Sequence, residues 1–457
     1  MAAAVAVGFT YEGFSVHRKA LICLRISAAI LITAVGVTAQ TPPLAITGVN
    51  VVDVVGGRIV PNSTVTISGQ TITSVTRNEA PPRGAQVVDG QGKFLIPGLW
   101  DMHAHIQGSE AGWLPLYVAN GVTGIRDMGA DLDRILATRE ATASGRVLGP
   151  RIVAAGPILD DPPRDWPLRM RVKTAEDARA AVRLLKDRGV DLIKVHNFTP
   201  RDAFFAIADE AKRQNLPFAG HVPLKVTIEE AVDAGISSIE HLSEGGRVWK
   251  ACSGGEEYRR EPCRPFFETL ARRGVWQTPT LFAMSEGYGG TLGKPASAIP
   301  VEQYALANAE LRALWADNQA LFAARPEVLR IIQAQAETAK AVTSDMAKAG
   351  VGILVGCDAL IAGFCVHDEL RKMVEGGMSP LAALQAATLN PARYLHLDDT
   401  TGAVAAGKRA DLVLLDANPL EDIGNVRRIR AVVAAGRMLD RSALDQLLAE
   451  AKAAAQR

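Results

Sequence analysis

The stretch FLIPGLWDMHAHI, residues 94–106, decides how this chain can be organised. An apolar run is interrupted at Pro97 and Gly98, resumes, and ends in His103 and His105. On an extended strand, residues i and i+2 point to the same face. Two imidazoles on one face suit a single metal ion, although an isolated pair also fits two incidental histidines near a loop. The motif therefore directs attention to further ligands elsewhere in the chain.

Length and charge narrow the class of protein. The chain has 457 residues, which is more than one ordinary core holds, and this favours a large barrel-type domain with a smaller companion. The formal net charge is +1, and no basic block or acidic tail is present. This distribution argues against nucleic acid as the main partner and leaves the charge of a small-molecule substrate undecided.

Residues 1–39 have the pattern of a secretory signal peptide. A positively charged cluster at 17–19, followed by Arg25, precedes the apolar run 26–35, and small residues lead to Ala39. The run is too short for a comfortable transmembrane span. We expect export to the periplasm or the medium after cleavage near Ala39, with no stable membrane insertion afterwards. The segment before the charges is long for a leader, so the true start could lie downstream.

Four cysteines follow this leader, an even number that suits an oxidising compartment. Cys252 and Cys263 bracket one polar loop, and Cys357 and Cys365 bracket a second. Two disulfides are one interpretation, and single buried thiols are the other. The spacing alone does not decide between them.

Short β-rich runs occur at both ends of the chain. Those between residues 44 and 89 are separated by Gly, Pro and Asn turns, and similar runs return between 411 and 439. We expect the two ends to pair in one small β-sandwich, with the rest inserted between them. The predicted organisation is a signal peptide at 1–39, sandwich parts at 40–93 and 398–441, a barrel at 94–397 and a C-terminal helix at 442–457.

The middle of the chain alternates strand-like runs with helical stretches such as 175–188 and 201–214. Eight such runs predict an α/β fold, a (β/α)8 TIM-like barrel, with reactive residues at the carboxyl ends of the strands. The longest connection, 282–351, contains a Gly-rich loop and an Ala-rich helical region, which could form a lid or the surface of a homo-oligomer. The runs are 94–105, 121–129, 151–159, 191–196, 217–222, 237–242, 275–281 and 352–359.

Candidate ligands cluster at the predicted strand ends. Four of the seven histidines after the leader occupy these positions, together with one lysine and one aspartate. Any one of them could be an ordinary buried residue, but chance is a poor explanation for all six. The six are His103, His105, Lys194, His221, His241 and Asp358.

With these motifs the sequence resembles the metal-dependent amidohydrolase superfamily. Within it, the chain is similar to the binuclear group of Xaa-Pro dipeptidases and ochratoxinase-like enzymes, and more distantly to imidazolonepropionase. The resemblance extends from about residue 44 to 441, and its first and last motifs form a specific pair. The motifs are PGLWDMHAH, IKVH, GHVP, IEHL, GCDA, HDEL, LQAATLNPAR and GKRADLVLLDANPLEDI.

The resemblance implies two divalent metal ions, with Zn²⁺ favoured by imidazole-rich ligation. It implies that His103, His105 and Asp358 hold one ion and that His221 and His241 hold the other.

The resemblance further implies that Lys194 bridges the two ions. An ammonium group cannot bind a cation, so this role requires Lys194 carboxylated by CO₂. A lysine in a structural ion pair is the alternative, and it would favour a mononuclear site.

Hydrolysis in such a site uses a metal-bound hydroxide as the nucleophile. Asp358 is expected to accept its proton and pass it to the leaving nitrogen. Cys357 departs from the small hydroxyl residue common in the resembling proteins. Asp101 lies on the same strand alternation as the two histidines and could orient one of them.

Residues that could contact substrate are harder to identify. His196 follows Lys194 by two positions and should face the same pocket, although barrel packing explains it equally well. Arg164 and Arg169, after the third predicted strand, could bind a substrate carboxylate, since arginine suits planar anions.

The sequence therefore predicts an exported binuclear amidohydrolase that cleaves a C–N amide bond of a dipeptide or an N-acyl amino acid. Hydrolysis of a cyclic amide, in the manner of imidazolonepropionase, is the alternative chemistry. A catalytically dead barrel acting as a binding protein is the alternative from another class, and it predicts loss of ligand residues.

Overall fold

The computed structural model describes residues 42–106, 113–163, 168–243, 245–286, 299–359 and 361–456. The leader predicted at 1–39 lies outside these residues. The strands are β1 Leu44–Asp53, β2 Arg58–Ser68, β3 Thr71–Arg77, β4 Gln86–Asp89, β5 Phe94–Pro97, β6 Leu99–Ala104, β7 Val122–Asp127, β8 Arg151–Ala154, β9 Ile158–Asp160, β10 Arg169–Arg171, β11 Ile193–Val195, β12 Phe218–Gly220, β13 Ser238–Glu240, β14 Trp276–Thr278, β15 Leu412–Leu415, β16 Ile429–Ala434 and β17 Arg437–Asp440.

Helices separate most of these strands after β6, which makes the fold α/β. They are α1 Leu114–Ala119, α2 Leu132–Ala143, α3 Ala175–Arg188, α4 Arg201–Arg213, α5 Ile228–Asp233, α6 Arg247–Ser253, α7 Arg260–Arg272, α8 Leu281–Glu286, α9 Val301–Tyr304, α10 Ala309–Ala324, α11 Pro326–Lys348, α12 Phe364–Glu375, α13 Pro380–Ala386, α14 Leu389–Tyr394 and α15 Arg441–Ala455. In the described part of the chain, none of them has both the length and the apolar character needed to cross a bilayer.

Both ends of the chain contribute to one mixed sheet. Its order is β17-β16-β15-β5-β1-β2-β3, and β4 pairs with β1. β5 joins the two ends, since it is parallel to β1 and antiparallel to β15, with Leu95 opposite Leu414. One face buries an apolar cluster that includes Ile46, Leu95 and Leu414. Burial of these side chains from distant parts of the sequence stabilises the pairing of the ends.

The middle of the chain forms parallel sheets. One has the order β6-β7-β8 and the other β10-β9-β11-β12-β13-β14. Backbone bonds also connect β6 and β14 to the run 352–359, since Met102 donates to Val355 and Leu354 donates to Gln277. The carboxyl ends of these strands therefore lie at a common edge.

The helix α3 illustrates how the sequence sets local structure. Thr174 and Asp177 form a capping box at its start, and Gly189 ends it with a left-handed φ of 82°. The buried face is Ala178, Ala181, Val182 and Leu185, a helical repeat that packs against α4. Both helices lie where the sequence predicted them.

The strands differ from the prediction at several places. The runs 94–105 and 151–159, each predicted as one strand, divide into β5 and β6 and into β8 and β9. The run 352–359 is not a strand; it contributes a single bridge between Ile353 and Gln277. A side chain at Gly356 would collide with Thr278 and His103, so this segment passes too close to its neighbours for ordinary residues. The short strand β10 was not predicted, because three residues that include two arginines carry no β pattern.

The connection predicted at 282–351 is largely helical from α9 to α11. Most of its Gly-rich loop lies at 287–298, outside the described residues. The four cysteines after residue 39 form two disulfides, Cys252–Cys263 and Cys357–Cys365. The interpretation as disulfides, left open by the spacing, is the one that the structure adopts.

His367 on α12 makes the stability of the fold depend on pH. It is buried, its Nε2 donates to the carbonyl of Asn120 at 2.9 Å, and burial lowers its pKa to about 4. The unfolded chain takes up this proton near pH 6.5 and the folded chain only near pH 4, so stability falls across that window as the pH falls. Wild type should lose about 3 kcal/mol more than His367→Gln between pH 7 and pH 4 in urea denaturation. The exposed control His396→Gln should follow wild type; equal losses in wild type and His367→Gln would contradict the prediction.

Candidate active site

Three histidines and one aspartate converge at the carboxyl ends of the parallel strands. His103 and His105 come from the end of β6, His241 follows β13, and Asp358 follows the segment beside β14. The Nε2 atoms of His103, His105 and His241 lie 4.0, 3.4 and 3.6 Å from the Asp358 carboxylate. Donor atoms of His103, His105 and Asp358 all lie within 4.8 Å of one another, a spacing that could hold a metal ion.

The imidazoles share one pattern of hydrogen bonding. Each uses Nδ1 to bond to the surrounding protein, which fixes the orientation of the ring. Thr280 donates its own hydroxyl hydrogen to the carbonyl of Pro279, so it accepts the hydrogen of Nδ1 from His241. The bonds join His103 to Glu240 at 2.7 Å, His105 to the carbonyl of Gly129 at 3.0 Å, His221 to Asn197 at 3.1 Å and His241 to Thr280 at 2.6 Å.

This pattern places the lone pair of a neutral imidazole on Nε2. Burial, and then the nearby charge of Lys194, lowers the pKa of His103 well below its usual value; for His221, burial and then His196 have this effect. The Nε2 of His103 is buried and has no hydrogen-bond partner among the described residues. A buried nitrogen without a hydrogen-bond partner is unfavourable unless a ligand satisfies it, and a cation can bind its lone pair.

Lys194 and His221 complete the group of residues predicted from the strand ends. Lys194 lies on β11 with only 1% of its surface exposed, and His221 follows β12 and is also buried. The ring of His221 lies 4.7 Å from that of His241 and 3.9 Å from that of His196, measured between centroids. The structure thus brings His196 and His221 together beside the group formed by His103, His105, His241 and Asp358.

Two turns at the site have left-handed backbone conformations. Asp358 has a φ of 51°, and His241, Leu242 and Ser243 have φ values of 56°, 51° and 55°. Non-glycine residues seldom adopt such angles, and they persist where the surroundings fix them. These turns lie where His241 and Asp358 approach each other, with His241 Nε2 3.6 Å from the Asp358 carboxylate.

Glu240 is a site residue that the sequence did not reveal. It is fully buried, accepts from His103, and pairs with Arg126 at 2.9 Å. Arg126 also donates to the carbonyl of Met102 and to the hydroxyl of Tyr394. A buried carboxylate with these partners holds the His103 ring in place. Its position immediately before His241 in IEHL was the available signal.

Asp101 acts differently from the prediction. Its carboxylate accepts from the backbone N–H groups of His103 and Cys357, at 3.1 and 3.0 Å, and from no imidazole ring in the part of the chain that the structure describes. Burial raises the pKa of Asp101 to about 7, while these two hydrogen bonds oppose the rise. Asp101 therefore ties the end of β6 to the segment that carries Asp358.

The predicted substrate residues have different surroundings. His196 Nδ1 lies 3.4 Å from the buried carboxylate of Asp160, and Arg169 pairs with that same carboxylate. The Arg169 side chain on β10 is only 8% exposed and pairs inside the protein, which differs from a free loop arginine. Arg164, the other predicted arginine, lies outside the described residues.

Comparisons with known proteins cover most of the chain. Residues 94–439 match the model of the Amidohydrolase family. Ochratoxinase of Aspergillus niger is 26% identical over 404 residues, which cover 74% of this chain and 73% of that protein. Imidazolonepropionase of Rubrobacter xylanophilus is 26% identical over 383 residues, covering 78% and 85%. A crystal structure of a prolidase complexed with N-methylphosphonate-L-proline is 26% identical, covers 87% of this chain and all of that chain, and has a TM-score of 0.64.

Proposed function

This chain belongs to the amidohydrolase family and is a hydrolase that acts on C–N bonds, and on that premise we propose that it cleaves the amide bond of a dipeptide or an N-acyl amino acid. The observation that carries the proposal is the convergence of imidazole Nε2 atoms on Asp358 at the strand ends. A prolidase is among the similar structures, which supports a dipeptide substrate.

The donor set fits two divalent metal ions. His103, His105 and Asp358 would hold one, and His221 and His241 the other. Neutral imidazoles and a carboxylate are suitable ligands for Zn²⁺, and each ring is already oriented through its Nδ1. When bound, the ions supply Lewis acidity at the scissile carbonyl and lower the pKa of a water molecule.

Asp358 would move the proton. Its carboxylate faces the centre of the cluster and is partly exposed, so it can accept a proton from the attacking water and deliver it to the leaving nitrogen. The bond from its backbone N–H to the carbonyl of His103, at 2.7 Å, holds the turn in position during this transfer.

Lys194 would bridge the ions as a carboxylated lysine. Its side chain is buried beside His103 and His221, where a cationic ammonium would repel both metal ions. The ammonium would first lose a proton, and the neutral amine would then add CO₂ and release a second proton, which leaves a carbamate in place of the positive charge. Its carboxylate would supply oxygen ligands for the two ions.

Recognition of the substrate would involve His196. Its ring packs against the ring of His221. Its Nδ1 lies 3.4 Å from the carboxylate of Asp160, which also pairs with Arg169. Arg169 already pairs with the buried carboxylate of Asp160, so the charge that it offers to a substrate carboxylate is reduced. Arg164 remains a candidate for the same role.

We also infer the wider setting of the enzyme. The bonds from Met102 to Val355 and from Leu354 to Gln277 support closure of the parallel strands into a (β/α)8 barrel. The mixed sheet formed by both chain ends would be the small β-sandwich beside it. The leader pattern and the two disulfides support export.

A hydrolysis screen tests the proposal. Purified protein would be assayed against Xaa-Pro dipeptides, other dipeptides and N-acyl amino acids, with an imidazolonepropionate-type cyclic amide as a comparison. Release of the amine from at least one linear class is the expected result. Hydrolysis of the cyclic amide alone would contradict the proposed substrate class.

Glu240 offers a test of how His103 is oriented. Glu240→Gln removes the negative charge that interacts with both the His103 ring and the buried Arg126 guanidinium. Metal affinity should fall by about 10- to 100-fold, measured by competition with a chromophoric chelator. The exposed control Glu229→Gln should bind metal as wild type does; unchanged affinity in Glu240→Gln would refute the orienting role.

A further inference from the structure

A cavity lies at the amino ends of the parallel strands, away from the candidate active site. It has a volume of about 980 Å³ and is lined by the first residues of β8, β12 and β14, which are Arg151, Phe218 and Trp276. The candidate active-site residues lie at the carboxyl ends of the parallel strands. The cavity is therefore at the opposite end of the strands from the active site. Its volume is in the range of sites that bind small organic molecules.

The floor of this cavity is aromatic and held in place. Trp276 and Tyr394 meet edge to face, with ring centroids 5.8 Å apart. The hydroxyl of Tyr394 bonds to Arg126 and to Ser237, each at 2.9 Å, which fixes the ring from inside the protein. Both rings are only partly buried, so they present apolar surface to the cavity.

The charged residues at the rim give the cavity a positive character. Arg151, Lys212 and Arg393 line it, and within the described ranges none of these three side chains makes a hydrogen bond or an ion pair. The acids on the same lining, Asp191 and Asp233, already pair with arginines that lie outside the cavity, at 2.7 and 2.9 Å. Asp191 and Asp411 attract Arg151, and Asp209 attracts Lys212, but no acid among the described residues occupies their hydrogen-bonding groups. An anion at this rim could therefore take direct hydrogen bonds from these cations.

We propose that this cavity binds a small amphipathic carboxylate. The aromatic or acyl body would lie on Trp276 and Tyr394, and the carboxylate would face Arg151 and Arg393. Guanidinium groups recognise carboxylates through paired hydrogen bonds, and the aromatic floor excludes a purely polar anion. This site does not depend on the proposed function, since binding is measured without turnover.

Titration of the full-length protein with 4-phenylbutyrate tests the proposal by calorimetry and tryptophan fluorescence. Arg151→Gln and Arg393→Gln should each weaken binding about tenfold, and Trp276→Phe should abolish the fluorescence response. Arg134→Gln, at an exposed arginine of α2, should bind as wild type does. Equal binding of 4-phenylbutanol, or undiminished binding by both arginine variants, would overturn the proposal.

If a variant does not fold, a crystal of the wild-type protein soaked with 4-(4-bromophenyl)butyrate locates the bound ligand without any substitution. Anomalous bromine signal over Trp276 supports the proposal. Signal confined to the region of His103 and Asp358 overturns it, because the carboxylate would then bind only as a product analogue.

Discussion

Asp358→Asn should lower kcat/KM about 10³-fold or more against the best substrate from the screen. Asparagine keeps the size of the side chain and its left-handed backbone, since it tolerates that conformation, but it cannot accept a proton from water. The substitution also weakens one of the donors that face His103, His105 and His241. Steady-state kinetics, with metal content measured on the same sample, separates the two effects.

A matched control for this variant is Asp399→Asn, at an exposed aspartate far along the chain. It should retain wild-type kcat/KM. An Asp358→Asn protein with bound metal and a loss smaller than about tenfold would show that Asp358 does not carry the proton.

Lys194→Ala should have the second large effect, on metal stoichiometry. Without the buried side chain on β11 there is no bridging carboxylate, so the metal content should fall from two ions per chain to one or fewer. Hydrolysis should fall about 10³-fold with it. Metal analysis by mass spectrometry and kinetics on the same preparation provide the measurement.

Chemical rescue sharpens the test of Lys194. The alanine variant leaves space in which added formate could supply the missing carboxylate, and activity should recover in part as formate is raised. Lys225→Ala, at an exposed lysine, is the control and should keep both metal and activity. Two ions per chain in Lys194→Ala would exclude the bridge.

The strand ends explain how the sequence could indicate residues that the structure brings together in the candidate site. His103 and His105 are two residues apart, and an extended backbone places such residues on one face whatever surrounds them. Lys194 lies within the short strand β11, His221 and His241 follow β12 and β13, and parallel pairing brings these segments together. The α/β class follows from the same alternation of runs and helices.

Other features depend on tertiary contacts that have no local pattern. Glu240 and Arg126 form their ion pair across 114 positions of sequence, and nothing near either residue indicates the other. Asp101 accepts from the backbone N–H groups of His103 and Cys357 because the segment at Gly356 passes close to the end of β6. The left-handed turns at His241 and Asp358 likewise arise from packing, so the detailed geometry could not be read from the strand pattern.

Metal content combined with chelation tests the central claim most directly. The untagged protein would be purified in metal-depleted buffers, analysed for bound metal, treated with a chelator, and then reconstituted with Zn²⁺ while hydrolysis of the best substrate is followed. We expect close to two ions per chain, loss of hydrolysis on chelation, and recovery as two equivalents are restored. Hydrolysis that persists in protein shown to contain no divalent metal would contradict the metal-dependent site formed by His103, His105, His221, His241 and Asp358.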